Sequence, residues 1–424
     1  MRVLHVSESD GHRGAARAAF RIHQALVGVE HSTRVESHML VRRSVTDDPR
    51  VTEIHRSRAS RAVNKVSKRV VKAERRLLRT ENRIIHSTAR MPTPAFRQIQ
   101  QMNPDAVVLH WLGNNVLSIE QVGALAQSGV PVFWVLHDTW AFCGAEHYPH
   151  GEGDRRFVEG YRRDNRPGWE SGFDVNRITW ERKRRHWMHP IHLIAPSHWI
   201  AGLARSSALM SGWSTQIVPY PLDTRWWGAS SREQTRYELG IPRSKQIVLF
   251  GAMGGEKDPR KGADLLRAAL SRFSENLSKE ERFDLDVLTF GGKQGVDRVA
   301  DLTVRSVGRL DDEGLRRYYS AADVVVVPSR MDNLPQTAVE PIACGTPVVG
   351  FRIGGLPDIV TDGVTGRLVE PYSTEAMSEA IKWVLADEAR RTALSQQARE
   401  SADRWEAERV GVRFAEVLGG TTHD

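Results

Sequence analysis

Two acids stand eight positions apart in the stretch SRMDNLPQTAVEPIACGTPVVGFRIGGLPDIV, residues 329–360: Asp332 and Glu340. They follow the apolar run Ala322 to Val327, which reads as a buried strand. Pro335 lies between them and permits a helix to begin, which puts Glu340 at or near its start. A helix start offers unpaired backbone N–H groups and partial positive charge, so it suits a phosphate or sugar oxygen better than a bare carboxylate pair. Taken in isolation, such acids also serve as helix caps. Lys261, in DPRKGAD, stands beside a second helix start, where a cation is electrostatically misplaced unless an anion binds there. His137 closes the run VPVFWVLHD, a setting in which a hydrogen-bonded core histidine is the commoner outcome. Gly14 alone is a turn glycine, since no G-x-G-x-x-G pattern follows the first strand. Asp284 and Asp286 resemble a metal-binding pair but flank the start of a strand, so they read as solvated edge charges. Neither a metal nor a cofactor is expected.

Placing such residues takes strands that deliver them to one edge. RVLHV (2–6) reads as a short buried strand and AARAAFRIHQAL (15–26) as a helix. Strand-like runs follow at DAVVLHW (105–111), VPVFWVLHD (130–138), IHLIAPS (191–197) and TQIVPY (215–220). After VPYPLDTRWW the series restarts with QIVLFGAM (246–253), LDVLTFGG (285–292), ADVVVVPS (322–329), TPVVGF (346–351) and TGRLVEP (365–371). Strands alternating with helices imply parallel sheets covered on both faces. The expectation is an α/β protein of two doubly wound, Rossmann-like domains with their sheets facing across a cleft, hinged near Pro219 to Asp223. The expected division is 1–222, 223–395, and a terminal helix at 396–424 that packs back towards the first domain. A chain of 424 residues is too long for one ordinary core, which agrees.

Composition narrows the classes. Hydrophobic content of 40% supports buried cores. The sequence has no run of about 18 apolar residues, and MRVLHVSESDG turns polar after six residues, so a cytosolic chain is expected. Cys143 and Cys344 are far apart in the sequence and read as reduced core residues. The net charge of +8 is unevenly placed: residues 50–90 hold thirteen Lys and Arg against Glu53, Glu74 and Glu81, a net of +10. The remainder is close to neutral, which argues against a general nucleic-acid surface and for one basic element. Val63, Val66, Val70, Ala73, Leu77 and Ile84 keep helical spacing within it. That helix has two readings, a solvated basic face packed on the first domain, or docking of residues 56–83 to an anionic membrane surface. Trp180, Arg182 to Arg185 and Trp187 are candidates to extend that face.

The acid, seven residues and Glu, followed by CGTPVV, GGLPDIV and DGVTGRLVEP, resembles the C-terminal half of the large retaining glycosyltransferase family 4 (glycosyl transferases group 1), of GT-B fold. VPYPLDT is similar to its interdomain hinge, and SVGRLDDEGLRRYYSAADVVVVPS (306–329) to its nucleotide-binding stretch. RGAARAAFRIHQAL, LHWLGNNVLSIEQV and WVLHDTWAFCGAEHY look like the branch that builds extracellular polysaccharides of the colanic-acid type. The resemblance implies that Glu340 accepts hydrogen bonds from the ribose hydroxyls of a nucleotide sugar. It implies that Asp332 holds hexose hydroxyls, helped by backbone amides from Asn333, Leu334 and Pro335. Leu310 would present backbone groups to the base, Lys261 would neutralise the diphosphate, Gly14 would open a helix beneath the phosphates, and His137 would sit beside the reacting sugar. Two positions depart from the family pattern. Asp332 stands where Glu is usual, and Gly251 precedes Ala252 and Met253 where an Arg is common, leaving Arg260 or Lys257 to supply that charge.

The reaction implied is transfer of a hexose from a nucleoside-diphosphate sugar to a glycan or lipid-linked acceptor hydroxyl, with retention and no protein nucleophile. A rival is a GT-B relative that hydrolyses or epimerises the nucleotide sugar. A nucleic-acid-binding protein is the other rival, suggested by a pI near 9.6 and opposed by the scarcity of aromatic residues in the basic segment. No nucleic-acid partner is expected.

Overall fold

The computed structural model describes residues 1–11, 14–28, 35–55, 77–151, 153–251 and 258–420. The chain divides into two compact units, Met1–Pro221 with Glu408–Asp424, and Leu222–Ala407. The second unit runs on past residue 395 because buried Trp405 ties its own end to its beginning: the Leu222 amide donates to the Trp405 carbonyl at 2.7 Å.

In the first unit seven parallel strands lie in the spatial order Val51–Glu53, Glu36–Arg43, Arg2–Ser9, Ala106–Leu109, Val132–Val135, His192–Ala195 and Thr215–Ile217. Ala106–Leu109 and Val132–Val135 are buried at every position, as strands covered on both faces must be, which is why they appear as unbroken apolar runs. A separate antiparallel ribbon pairs Leu78–Thr80 with Glu170–Gly172. This ribbon corrects the basic-helix expectation at its C-terminal end, because Leu78 to Thr80 are strand and Ile84 lies outside any helix. Residues 56–76, which carry most of the expected membrane face, lie outside the described residues.

The second expected part of that face is also corrected. Trp180, Lys183 and Trp187 of the stretch around helix Val175–His186 are buried. Trp187 donates its indole N–H to the Ile119 carbonyl at 2.8 Å. The helix is amphipathic with a lysine on its inner side, a residue that sequence patterns assign to solvent.

In the second unit the order is Gly295–Val299, Leu302–Ser306, Leu285–Phe290, Gln246–Gly251, Val324–Val327, Val348–Phe351 and Gly366–Val369. The first pair is antiparallel and the rest parallel. Helices Ala263–Glu275 and Thr374–Leu385 cover one face, where Leu266, Leu270, Phe273, Met377 and Ile381 meet Val248, Phe250, Val324 and Val349. Helix Gln336–Ala343 packs beside Glu388–Ser401. No helix among the described residues is long and apolar enough to cross a membrane.

Candidate active site

The carboxyl edge of the second sheet brings Lys261 and Asp332 together. Lys261 ends the short turn Pro259–Lys261, and Gly262 then begins helix Ala263–Glu275 from a left-handed conformation, φ +67°. A Cβ at Gly262 would lie 1.9 Å from the Pro328 carbonyl oxygen, so only glycine lets this helix start press against the end of strand Val324–Val327. The contact is fastened on the other side by Arg330. Its amide donates to the Arg260 carbonyl at 2.7 Å, and its guanidinium forks onto Asp264 at 2.7 and 2.5 Å. That hydrogen-bonded guanidinium holds the Asp264 carboxyl below its usual range. Loop 328–332 is therefore zipped to loop 258–264, and Lys261 Nζ donates to Asp332 Oδ2 at 2.5 Å. Ser329 Oγ approaches the same oxygen at 3.4 Å.

The glycine pair after the strand Val348–Phe351 completes the seat of Asp332. The Gly355 amide donates to the Asp332 carbonyl at 3.0 Å. Gly354 has φ +61°, and a Cβ there would lie 2.2 Å from the same oxygen. The distant GG of the sequence thus holds the backbone of the acid. Both side chains of the pair keep some exposure, 22% for Lys261 and 16% for Asp332. Solvent screens such a pair, so a ligand phosphate can replace the carboxylate beside Lys261 at modest cost.

Glu340 is buried at 1% exposure in the body of helix Gln336–Ala343, a turn further in than its expected position near the start. Asn333 and Leu334 are buried in the loop that leads to the helix. Pro335 is the N-cap, with φ −64°, and having no N–H it donates nothing to a ligand. The expected trio of amide donors is thereby reduced to Asn333 and Leu334. Leu310 lies after strand Leu302–Ser306 on the same carboxyl edge, three strands along the sheet from Val324–Val327. Gly308, with φ +88°, donates no side chain to that turn, and its carbonyl accepts from the Gly291 amide at 2.7 Å. Arg260 is held by Asp258 through Nη2 at 2.7 Å and Nε at 3.2 Å. Ala252, Met253 and Lys257 lie outside the described residues.

In the first unit His137 follows strand Val132–Val135 and belongs to a line of buried rings. His5 Nδ1 lies 2.8 Å from His110 Nε2, His110 Nδ1 lies 3.0 Å from His137 Nε2, and His137 Nδ1 lies 2.8 Å from the Tyr220 hydroxyl. Both nitrogens of His137 are thus engaged inside the unit. Burial lowers His137 to about 4, with the Asp138 charge opposing, and lowers His5 and His110 well below the ordinary imidazole value. Burial favours the neutral form of each ring, and the three rings are hydrogen bonded in series.

Sequence reasoning missed the neighbouring cluster. Asp138 Oδ2 accepts from His147 Nδ1 at 2.6 Å and from Trp111 Nε1 at 2.7 Å, and His147 Nε2 lies 2.8 Å from Ser87 Oγ. Burial pushes the Asp138 carboxyl up, but the charge and hydrogen bond of His147 outweigh it and hold it below its usual value. These groups border a small recess whose lining includes Trp111, His137, Asp138, Trp140 and His147 but not Ser87. The arrangement orients the imidazole between Asp138 and the Ser87 hydroxyl, which does not line the recess. The acid directly after His137 and the His of EHY, ten residues on from His137, were the available signals. Beneath the loop, Lys183 Nζ donates to the carbonyls of Cys143 at 3.0 Å, Gly144 at 2.8 Å and Trp140. Burial pushes this ammonium down to about 7. Gly14 begins helix Gly14–Gly28, and a Cβ there would meet nothing within 4 Å among the described residues. Among the described residues no group of three or more His, Cys, Asp or Glu is placed to hold a metal ion.

Residues 231–401, which lie within the second unit, match the family model of glycosyl transferases group 1. A D-inositol 3-phosphate glycosyltransferase of Saccharomonospora viridis is 36% identical over 208 residues, 45% of this chain and 47% of the relative. One from Xylanimonas cellulosilytica is 32% identical over 220 residues, 49% of each. The chain spans about half the length of the curated relatives it matches. Their name corrects the polysaccharide branch expected from the N-terminal motifs, since they are inositol-phosphate enzymes and not of the colanic-acid type. Among solved structures, sucrose-phosphate synthase from Thermosynechococcus elongatus has a TM-score of 0.68 at 18% identity and covers 99% of each chain. Anabaena Alr3699/HepE, in complex with UDP-glucose, has a TM-score of 0.64 at 15% identity and covers 99% of this chain and 100% of its own. WaaG, a glycosyltransferase involved in lipopolysaccharide biosynthesis, has a TM-score of 0.62 at 16% identity over 99% of this chain and 100% of its own. The fold is GT-B.

Proposed function

We propose that this protein transfers a hexose from a nucleoside-diphosphate sugar to an acceptor hydroxyl, with retention of anomeric configuration. The observation that carries the reading is the Lys261–Asp332 pair, seated at the carboxyl edge of a sheet whose sequence matches a glycosyltransferase family. On donor binding Lys261 turns to the diphosphate and Asp332 is released to the hexose hydroxyls. Glu340 takes the ribose, Leu310 lies against the base, and Asn333 and Leu334 supply the amides near the sugar. Arg260 stays on Asp258 as a positioning group. The helix start at Gly14 serves phosphate oxygens, and neutral His137, whose two nitrogens stay on His110 and Tyr220, flanks the sugar with its ring and makes no new hydrogen bond.

Retention is the outcome that the resemblance to glycosyltransferase family 4 implies, and it asks for no protein nucleophile. In this reading Asp332 is taken up by the hexose hydroxyls and the buried Glu340 by the ribose, so neither is offered as an attacking group. The departing phosphate oxygen then takes the acceptor proton on the same face. Negative charge grows on that oxygen as the glycosidic bond breaks, and Lys261 stabilises it there. Acceptor recognition is assigned to the Trp111, Asp138 and His147 recess, whose indole and fixed polar atoms suit a polyhydroxylated ring. The relatives are D-inositol 3-phosphate glycosyltransferases, which makes an inositol phosphate one acceptor class, and a glycan or lipid-linked hydroxyl is the other. Residues 56–83 would approach an anionic membrane in the lipid-linked case.

The test is a donor panel incubated with and without each acceptor class, with products resolved by nuclear magnetic resonance. A new glycoside with the donor's anomeric configuration supports the reading. Hexose release that no acceptor alters would instead identify a hydrolase.

A further inference from the structure

The opposite, amino edge of the second sheet carries a feature that the transfer reaction does not use. Asp323 immediately precedes strand Val324–Val327 and is buried at 1% exposure. Its carboxylate accepts from Arg236 Nη2 at 2.6 Å, from the Ile247 amide at 2.7 Å and from Arg232 Nη2, while Arg391 Nε lies 3.4 Å away. One negative charge therefore faces three guanidinium groups. A small recess lies here, lined by Arg232, Ser320, Asp323, Thr346, Arg391 and Arg399 among others. Arg399 spends its donors on neutral carbonyls, Gly228 at 3.1 Å and Ser230 at 3.3 Å, so its charge is not compensated by them. Asp323 is the single acid in the lining.

Two buried polar atoms at the same recess are left over. Arg391 Nε makes no hydrogen bond among the described residues, and the Ser320 hydroxyl makes none beyond a weak approach to the Cys344 thiol. Buried donors without acceptors are costly, and an excess of guanidinium charge in a recess is costlier still. Both costs vanish if a polyvalent anion enters. The planar forks of arginine match tetrahedral oxyanions, and the Ser320 hydroxyl is of the kind that shares them, whereas Thr346 Oγ1 already donates to the Tyr319 carbonyl at 2.6 Å. Access is open because the Arg232 side chain is 41% exposed.

We propose that this recess binds a small tetrahedral oxyanion of the phosphate class, either free phosphate or the phosphate of a small monoester. It is separate from the diphosphate position proposed at Lys261, which lies on the other edge of the same sheet. Occupancy joins helix Arg232–Glu238 to helix Glu388–Ser401 through a shared anion and so stabilises the second unit. The proposal does not depend on the reaction assigned to the protein.

The experiment titrates the full chain with inorganic phosphate and with glycerol 3-phosphate, at ionic strength held constant with chloride, and follows heat of binding and thermal unfolding. Wild type and Lys261→Ala should bind with the same affinity. The double variant Arg232→Gln, Arg399→Gln should bind at least about tenfold more weakly, the scale of one charge-assisted hydrogen bond. Arg399→Gln alone keeps every partner of Asp323 and serves if the double variant does not fold. Tighter binding of free phosphate identifies that ligand, and tighter binding of the ester identifies a monoester. No binding of either beyond the chloride control, equal binding by the arginine variants, or loss of binding in Lys261→Ala would overturn the site.

Discussion

The carboxyl edges of the two sheets solve different problems with similar backbones. The second sheet presents Lys261 and Asp332, charged, partly exposed and paired with each other. The first presents His137, neutral, buried and hydrogen bonded at both nitrogens. A charged pair near solvent can exchange partners when a ligand arrives. A chain of buried neutral rings cannot, because every ring would need a new partner or leave one unsatisfied. The difference assigns the handling of charge to the second unit and the holding of geometry to the first.

The largest expected effect breaks the charged side. Lys261→Ala should lower turnover at saturating donor by at least about a hundredfold, the scale of one preorganised charge at a leaving group. Near-normal turnover would remove Lys261 from the chemistry. Asp332→Asn comes next. It should leave affinity for the bare nucleoside diphosphate almost unchanged and weaken use of the intact donor by about ten- to a hundredfold, since a charged acceptor on a hydroxyl is worth roughly 1.5–3 kcal/mol. Equal weakening of both ligands would mean that Asp332 does not read the sugar.

The neutral side should reveal itself through acid. His137 and His23 are lowered from 6.5 to about 4 and His5 and His110 lie well below 6.5, all chiefly by burial. Below 6.5 the unfolded chain takes up protons that the folded one refuses, so stability is full above that pH and falls as pH drops towards 4. Each fully buried ring contributes up to about 1.4 kcal/mol per pH unit in that window. Urea titrations at pH 7.5 and 5.5 should show the first unit losing stability before the second, and His110→Gln should flatten that dependence. Parallel loss in both units would contradict the assignment. The smallest effect is expected at Gly14. Open space around its Cβ position means that Gly14→Ala should change stability by less than about 0.5 kcal/mol. A drop in turnover without a drop in melting temperature would then mark a close ligand approach, and unchanged turnover would remove Gly14 from the site.

The same contrast explains what the sequence disclosed. Ala106–Leu109, Val132–Val135 and Val324–Val327 are buried on both faces, so their composition alone announces them. The edge strand Gly295–Val299, exposed at four of five positions, and the inner strand Glu36–Arg43, with charged residues at both ends, carry no such run and were not anticipated. Asp332 was legible because helix and turn signals surround it locally. The glycine that meets its carbonyl and the lysine that meets its carboxylate are fixed by crossovers between separate strands. His5, His110, His137 and Tyr220 meet only after four crossovers have formed, and no spacing rule joins them. Lys183 failed for another reason: its ammonium is satisfied by three carbonyls of a loop that composition cannot place.

The central claim is that the Lys261–Asp332 pair opens to receive a nucleoside-diphosphate sugar, and calorimetric titration tests it most directly. Wild type and Lys261→Ala would each be titrated with the uridine, guanosine and adenosine diphosphates and their glucose esters. The account predicts saturable binding of one base series by wild type, weakened at least about tenfold in the variant by loss of a charge-assisted contact. Binding that Lys261→Ala leaves undiminished, or no binding of any member by wild type, would contradict it.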